Sequence, residues 1–358
     1  MKEFLKKNKK YILNILFILL IGWLILRLLF SSKKEFFDII NTLHDAKKGW
    51  LILGVFFVFF FVAGESVIIK YMLTLFKQKI PFFKCLAFSF IGFFYSCITP
   101  SSSGGQPAQM YYMKKDGIKL GFSTLIMLVI TVAYKAVLVI LGIIFLIFKY
   151  SFIKEHIGSL WWLLAVGFVL NVAYIAGLVF IFFKPLWARK AGIKIINFLT
   201  RIKIFKEKNN EKYINKIARI CDNYILGADY IKKNLHTVFN IFIITIVQRV
   251  FLFAVTWIVY KSYGLGGFSF LEIVTLQTMI AIQCEMMPLP GAAGITEGCF
   301  IVLFSGVFGS FIKPAMLLSR GLSFYVLLIM SGAITLITHF IIMGREKKLK
   351  SKADINAG

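Results

Sequence analysis

The sequence predicts an all-α polytopic integral membrane protein, with about six full transmembrane helices and two re-entrant helical hairpins, each broken near its middle. Three observations carry that prediction. Hydrophobic residues fill 59% of the 358 positions, against about 45–50% in a soluble domain, and the mean hydropathy is +0.81. Most of these residues fall into runs long enough to cross a bilayer. Two further apolar runs are interrupted by ITPSSSGGQPAQMYY (98–112) and MPLPGAAGITEG (287–298), stretches far richer in Pro, Gly and polar residues than a short turn requires.

A span needs about 20 apolar residues, and six segments meet that length: 11–30, 50–70, 120–148, 160–183, 236–260 and 314–343. The first follows the basic start MKEFLKKNKK. It exceeds the usual 7–15 residues of a signal-peptide core and lacks an A-x-A cleavage site, so it reads as a retained helix. The two interrupted runs, 82–113 and 270–311, read as hairpins. Between spans, 184–235 repeats apolar residues at helical spacing with Lys and Arg between them. This fits an amphipathic helix lying on anionic headgroups; a solvated linker helix is the other reading.

Charge sets the topology. The chain carries 42 Lys and Arg against 16 Asp and Glu, a formal +26. These cations flank apolar spans, which fits the positive-inside rule and not a nucleic-acid-binding face. The segment 184–233 alone holds 13 Lys and Arg against 4 Asp and Glu. If each hairpin enters and leaves by one side, the N-terminal cluster, this segment and the tail 347–358 all fall in the cytoplasm. If either crossed only once, a basic segment would be stranded outside. The same count gives two halves, 1–150 and 151–346, each with three spans and one hairpin, in the layout of an inverted-topology repeat. The abundance of Lys, Ile, Asn and Phe points to an AT-rich, bacterial genome and hence to a plasma membrane.

The hairpin tips are candidate binding elements. Irregular backbone at membrane depth survives only beside protein or a water-filled cavity. Pro100 and Pro107 stop the flanking helices, Gly104 and Gly105 relax backbone restrictions, and Ser101, Ser102, Ser103, Gln106 and Gln109 offer uncharged polar groups. The second tip repeats the parts with Pro288, Pro290, Gly291 and Gly294, then Thr296 and Glu297 at a helix start. Helix N-termini aimed into such a space favour an anion. The alternative is a pair of ordinary external loops.

Ionisable residues inside apolar runs are Glu65, Lys135, Arg249, Glu285, Glu297 and Arg320, each costing at least about 2.5–3.5 kcal/mol near a helix centre. Arg stands out in a chain with 35 Lys and 7 Arg, because its fork grips phosphate bidentately. Arg320 reads as a site residue. Arg249 is open between phosphate contact and pairing with Glu285 or Glu297. Glu65 and Lys135 read as span-end residues that snorkel; Glu285, Glu297, Glu65 and Lys135 are together the candidate proton or ion-pair groups, with Glu285 or Glu297 the first choice for a proton. The five cysteines show no CxxC and the four histidines no HExxH, so neither a metal nor a cofactor is expected.

CITPSSSGGQPAQMYYMKKDG, and PLPGAAGITEGCFIVLFSGV followed by LLSRGLSFY, resemble the two signatures of the lysylphosphatidylglycerol synthase transmembrane, or flippase-like, family. Pro100, Gly104, Gly105 and Pro107 match the first; Pro290, Gly291, Gly294, Glu297 and Arg320 match the second. Gln106 and Gln109 stand where members more often carry an acidic and a basic residue. The resemblance implies a domain that moves a lysylphosphatidylglycerol-like or polyprenyl-phosphate-linked lipid between leaflets. It also implies that the transferase activity in the family name, which resides in a further cytoplasmic domain, is not expected within these residues. Two other readings stand beside translocation: an intramembrane lipid-modifying enzyme using Glu285 and Glu297, and a scaffold for a separate synthetase. The expected partners are a phospholipid substrate, the anionic membrane surface through 184–235, and a second copy of the chain or a synthetase.

Overall fold

In hydrocarbon a backbone must satisfy its own hydrogen bonds, so apolar runs of this length fold as helices. The computed structural model describes residues 45–201 and 210–355, and all regular structure among them is helical. The helices are α1 (Lys48–Leu75), α2 (Phe82–Cys97), α3 (Gly105–Lys115), α4 (Leu120–Phe148), α5 (Tyr150–Ile157), α6 (Trp161–Phe183), α7 (Pro185–Arg201), α8 (Asn210–Lys233), α9 (Leu235–Ser262), α10 (Phe270–Cys284), α11 (Ile295–Phe308), α12 (Ile312–Arg320) and α13 (Leu327–Ile355). A π-helical turn, Gly321–Val326, joins α12 to α13. Five helical stretches are long and apolar enough to span a membrane among the described residues. They account for the expected spans 50–70, 120–148, 160–183, 236–260 and 314–343; the expected span 11–30 lies outside those residues. The last span continues as helix through Ile355 into the segment read as a tail.

Many large apolar side chains remain exposed, among them Ile147, Phe148, Val169, Phe239, Ile329, Phe340 and Ile341. A soluble surface does not tolerate such a continuous coat, whereas lipid does. The buried core divides into two clusters. One gathers α1, α9, α10 and α11 around Phe253, Tyr260, Phe300, Phe304 and Phe308. The other gathers the end of α1, the α2–α3 pair, the start of α4 and α8 around Ile68, Phe88, Ile91, Leu125, Ala228 and Ile231.

Both interrupted runs are helical hairpins. In the first, α2 packs on α3, and Lys84 Nζ near the start reaches Asp116 Oδ1 past the end at 2.8 Å. Arg345 on α13 also bonds Asp116, at 2.7 Å, which ties the open end to the far end of the last span. In the second, α10 packs on α11, and Tyr260 at the end of α9 lies edge-on to both Phe268 and Phe308. The two hairpins therefore open toward opposite ends of the bundle, and their tips pack against each other.

The tips are built alike. Pro100–Ser102 and Pro290–Ala292 each form a 3-10 turn, and a glycine four residues after each proline precedes the next helix. Ser102 (φ 54°) and Ala292 (φ 50°) both adopt the left-handed backbone. Gly291 (φ 57°) and Gly294 (φ 87°) do so too, where glycine has no penalty. Gly104 and Gly105 differ from expectation. Gly104 has φ −83°, so their smallness and not their backbone freedom is what matters. A Cβ on Gly105 would lie 2.1 Å from Ser96 Oγ and 2.6 Å from the Gly92 carbonyl oxygen.

The basic segment also departs in part from expectation. It is helical and amphipathic, but one face of α8 is covered by protein. It packs on α4, burying Tyr224, Ala228 and Ile231 in the second core cluster.

Gly105→Ala is expected to destabilise the protein by about 1–3 kcal/mol, because its Cβ meets backbone that cannot rotate away. Thermal melting in detergent should place this variant several degrees below wild type, and a Ser96→Gly second change should not restore it.

Candidate functional site

Where the tips meet, they wall a cavity of about 630 Å³. Its floor and sides come from α1, α2, α3, α4, α9, α10, α11 and α12, so both halves of the sequence contribute. Of the residues singled out from sequence, Ser102, Ser103, Gln106, Gln109, Gly291, Thr296, Glu297 and Arg320 line it, and so do Glu65, Lys135 and Glu285. Gly104, Gly105 and Gly294 are not among the lining residues and shape the tips. The side chain of Ser101 lies outside the described residues.

Arg249 is placed differently from a phosphate-gripping role. It is completely buried behind Glu285, donating to both carboxylate oxygens, one of them at 3.1 Å, and to the Tyr134 carbonyl at 3.1 Å. Its guanidinium lies 3.4 Å over the Tyr134 ring. Lys135 Nζ bonds the same carboxylate at 2.9 Å. A residue on α9 and one on α4 thus converge on the end of α10, which resolves Arg249 toward pairing. Lys135 and Glu65 are not snorkelling residues either. Both sit mid-helix because α1 and α4 run about eight turns, placing residues 65 and 135 well inside the bundle.

Arg320 forms the second ion pair. Its Nε lies 2.9 Å from Glu297 Oε1, its Nη2 donates to the Gly291 carbonyl, and the guanidinium sits 4.3 Å from the Phe324 ring centre. Glu297 Oε2 in turn accepts the Gly294 N–H at 2.7 Å. The second signature therefore closes on itself: Gly, Gly, Glu and Arg hold one another. Arg320 has five N–H donors, and two are engaged among the described residues.

Apart from Glu65, the remaining polar wall is uncharged. Gln106 donates to Thr131 and Gln109 to Glu65. Thr256 bonds Ser319 at 2.8 Å and Gln277 at 3.1 Å. Sequence reasoning missed Thr131, Tyr134, Thr256, Gln277 and Ser319. A signal was present: Thr131 lies four residues before Lys135 and Ser319 adjoins Arg320, so each shares or borders a helix face already marked by a charge. The cavity is two-natured. Met287, Leu289, Phe300, Phe324 and Leu327 give it apolar surface, and Glu65, Lys135 and Gln106 give it polar groups.

Residues 11–331 match the sequence profile of the lysylphosphatidylglycerol synthase TM region. Among curated proteins, the chain is 24% identical over 274 residues to a UPF0104 membrane protein of Archaeoglobus fulgidus, covering 72% of this chain and 77% of that one. It is 23% identical over 314 residues to a Mycoplasma pneumoniae protein described as an uncharacterized MG306 homolog, covering 80% and 77%. The chain belongs to the lysylphosphatidylglycerol synthase transmembrane-region family.

Replacing Glu285 should be costly. Glu285→Gln leaves Arg249 fully buried without its carboxylate, a loss of about 3–5 kcal/mol for a broken buried pair. Chemical or thermal unfolding in detergent should show it to be markedly less stable than Glu65→Gln, which strands no cation.

Proposed function

From membership of this family and from a polar cavity shared by two opposed hairpins, we propose that the protein is a lipid translocator. It carries an anionic or aminoacylated phospholipid, lysylphosphatidylglycerol-like or polyprenyl-phosphate-linked, between leaflets of a bacterial plasma membrane. The observation that carries the reading is the two-natured cavity. Arg320 with unengaged donors, amide side chains and hydroxyls suit a headgroup; the apolar residues of the same lining suit the start of the acyl chains. In this reading the tips are re-entrant at membrane depth, and both termini and the 184–235 segment face the cytoplasm, with that segment also contacting anionic headgroups.

The inverted repeat supplies the movement. The halves 1–150 and 151–346 would rock against each other about the hairpin tips, exposing the cavity to each side in turn. Packing favours such a pair of halves: α13 of the second lies on α2 of the first hairpin, and α4 of the first lies on α10 of the second.

The test is reconstitution into vesicles containing a trace of headgroup-labelled phosphatidylglycerol, with a membrane-impermeant quencher reading the outer leaflet. Wild-type protein should make nearly all label accessible, and protein-free vesicles only the outer share. Arg320→Lys keeps the charge but loses the fork; it should slow the exchange about tenfold, the equivalent of one charge-assisted hydrogen bond. Mass spectrometry of the recovered lipid should show it chemically unchanged. Exchange no faster than in protein-free vesicles would sink the translocator, and a modified lipid would replace it with an enzyme.

A further inference from the structure

Three carboxylates belong to the cavity, and they are not equivalent. Glu285 is held by Lys135 and Arg249, and Glu297 by Arg320. Glu65 is the exception. It is paired with no cation among the described residues, and its side-chain bond is to the neutral amide of Gln109. A partly buried carboxylate on a cavity wall with no cation against it favours its protonated form.

Its surroundings do not supply the missing charge. Helix α1 packs against α2, α4, α9 and the π-helical turn. Toward Glu65 these elements bring the Ser89 hydroxyl and the Tyr134 phenol, and the nearby cations Lys135 and Arg249 are committed to Glu285 on α10. Tyr325 of the π turn is largely exposed. The Tyr134 phenol lies within electrostatic reach of Glu65 and Glu285 alike.

The charge balance then turns on one proton. With Glu65, Glu285 and Glu297 ionised against Lys135, Arg249 and Arg320, the site is neutral. With a proton on Glu65 it carries one net positive charge. We infer that the cavity is a proton-binding site, and that one proton taken up by the Glu65 carboxylate accompanies each anionic headgroup that enters. The step is simple: the carboxylate accepts a proton from a hydronium ion reaching the cavity, the carboxyl O–H bond forms as the donor's O–H bond breaks, and a water molecule is left. The anion neutralises the charge that the proton creates, so each ligand raises affinity for the other by the same factor. The inference rests on the translocator reading for its anion, and it supplies that reading with a coupling ion.

The experiment separates the two. Purified protein in uncharged detergent is titrated with phosphatidylglycerol from acid to mildly alkaline pH, with phosphatidylcholine as control. The wild-type Kd should rise with pH by up to about tenfold per unit, the limit for one linked proton. Glu65→Gln should bind as tightly as wild type at acid pH and stay flat, while eluting and melting as wild type does. Infrared difference spectra should show a protonated-carboxyl band that fades with pH in wild type and is missing from Glu65→Gln. A flat wild-type Kd, a slope that persists in Glu65→Gln, or no such band would each overturn the proton site. Leaflet exchange that fails while the slope appears removes the translocator and leaves the proton site standing; exchange without the slope does the reverse.

Discussion

The structure depends on how two breaks in the helical backbone are kept satisfied. Unpaired N–H and C=O groups in an apolar interior cost several kcal/mol each, and each tip must turn the chain without leaving them exposed. Both solve it with the same parts. Proline removes one donor at the turn's start, and the 3-10 turn pairs Ser103 N–H with the Pro100 carbonyl at 3.1 Å. The glycine four residues after each proline then gives its N–H to a side chain. In the first tip Thr99 Oγ1 accepts it from Gly104 at 2.9 Å; in the second Glu297 accepts it from Gly294. The threonine of one signature and the glutamate of the other are therefore physical counterparts, though nothing in their chemistry or spacing suggests it.

Ion pairing then extends the same logic from backbone to bundle. Buried cations here do not sit beside partners on their own helix. Arg249 of α9 and Lys135 of α4 meet on Glu285 at the end of α10, and Arg320 of α12 meets Glu297 of α11 and the Gly291 carbonyl. Each pair fixes a hairpin to a full span. Since the energy of a buried pair is set against desolvation and is often near zero net, what these pairs contribute is position. Removing either carboxylate leaves a buried cation without its ionic partner.

Composition and run length made most of the fold legible, because the bilayer restricts a backbone to few choices. The described spans match their expected segments closely, and both hairpins lie where Pro and Gly interrupt the apolar runs. What remained hidden was anything that depends on which helices meet. Arg249 could be read as a phosphate contact or a structural pair, since only the approach of α10 to α9 decides it. Glu65 and Lys135 were mistaken for span-end residues because run length marks where a helix is apolar, and not where its middle falls in the bundle. Gly104 and Gly105 advertised their presence but not their reason: proximity to Ser96 and Gly92 is invisible until α2 and α3 are folded together. The docking of α8 on α4 was similarly masked, since an amphipathic face reads the same whether lipid or protein covers it.

The two tips share a frame but not a function, and the difference lies in what caps them. Thr99 is neutral and leaves the first tip with amides and hydroxyls alone. Glu297 is charged and must bring Arg320 with it, so the second tip carries a fixed dipole of charges into the cavity wall. Gln106 and Gln109, both uncharged, deepen that asymmetry. With a cation there, Glu65 would have an ionic partner across the α1–α3 contact and no reason to remain uncompensated. With Gln109 there instead, the hydrogen bond persists and the charge does not, which leaves the first tip as the side of the cavity whose electrostatics one proton can reset.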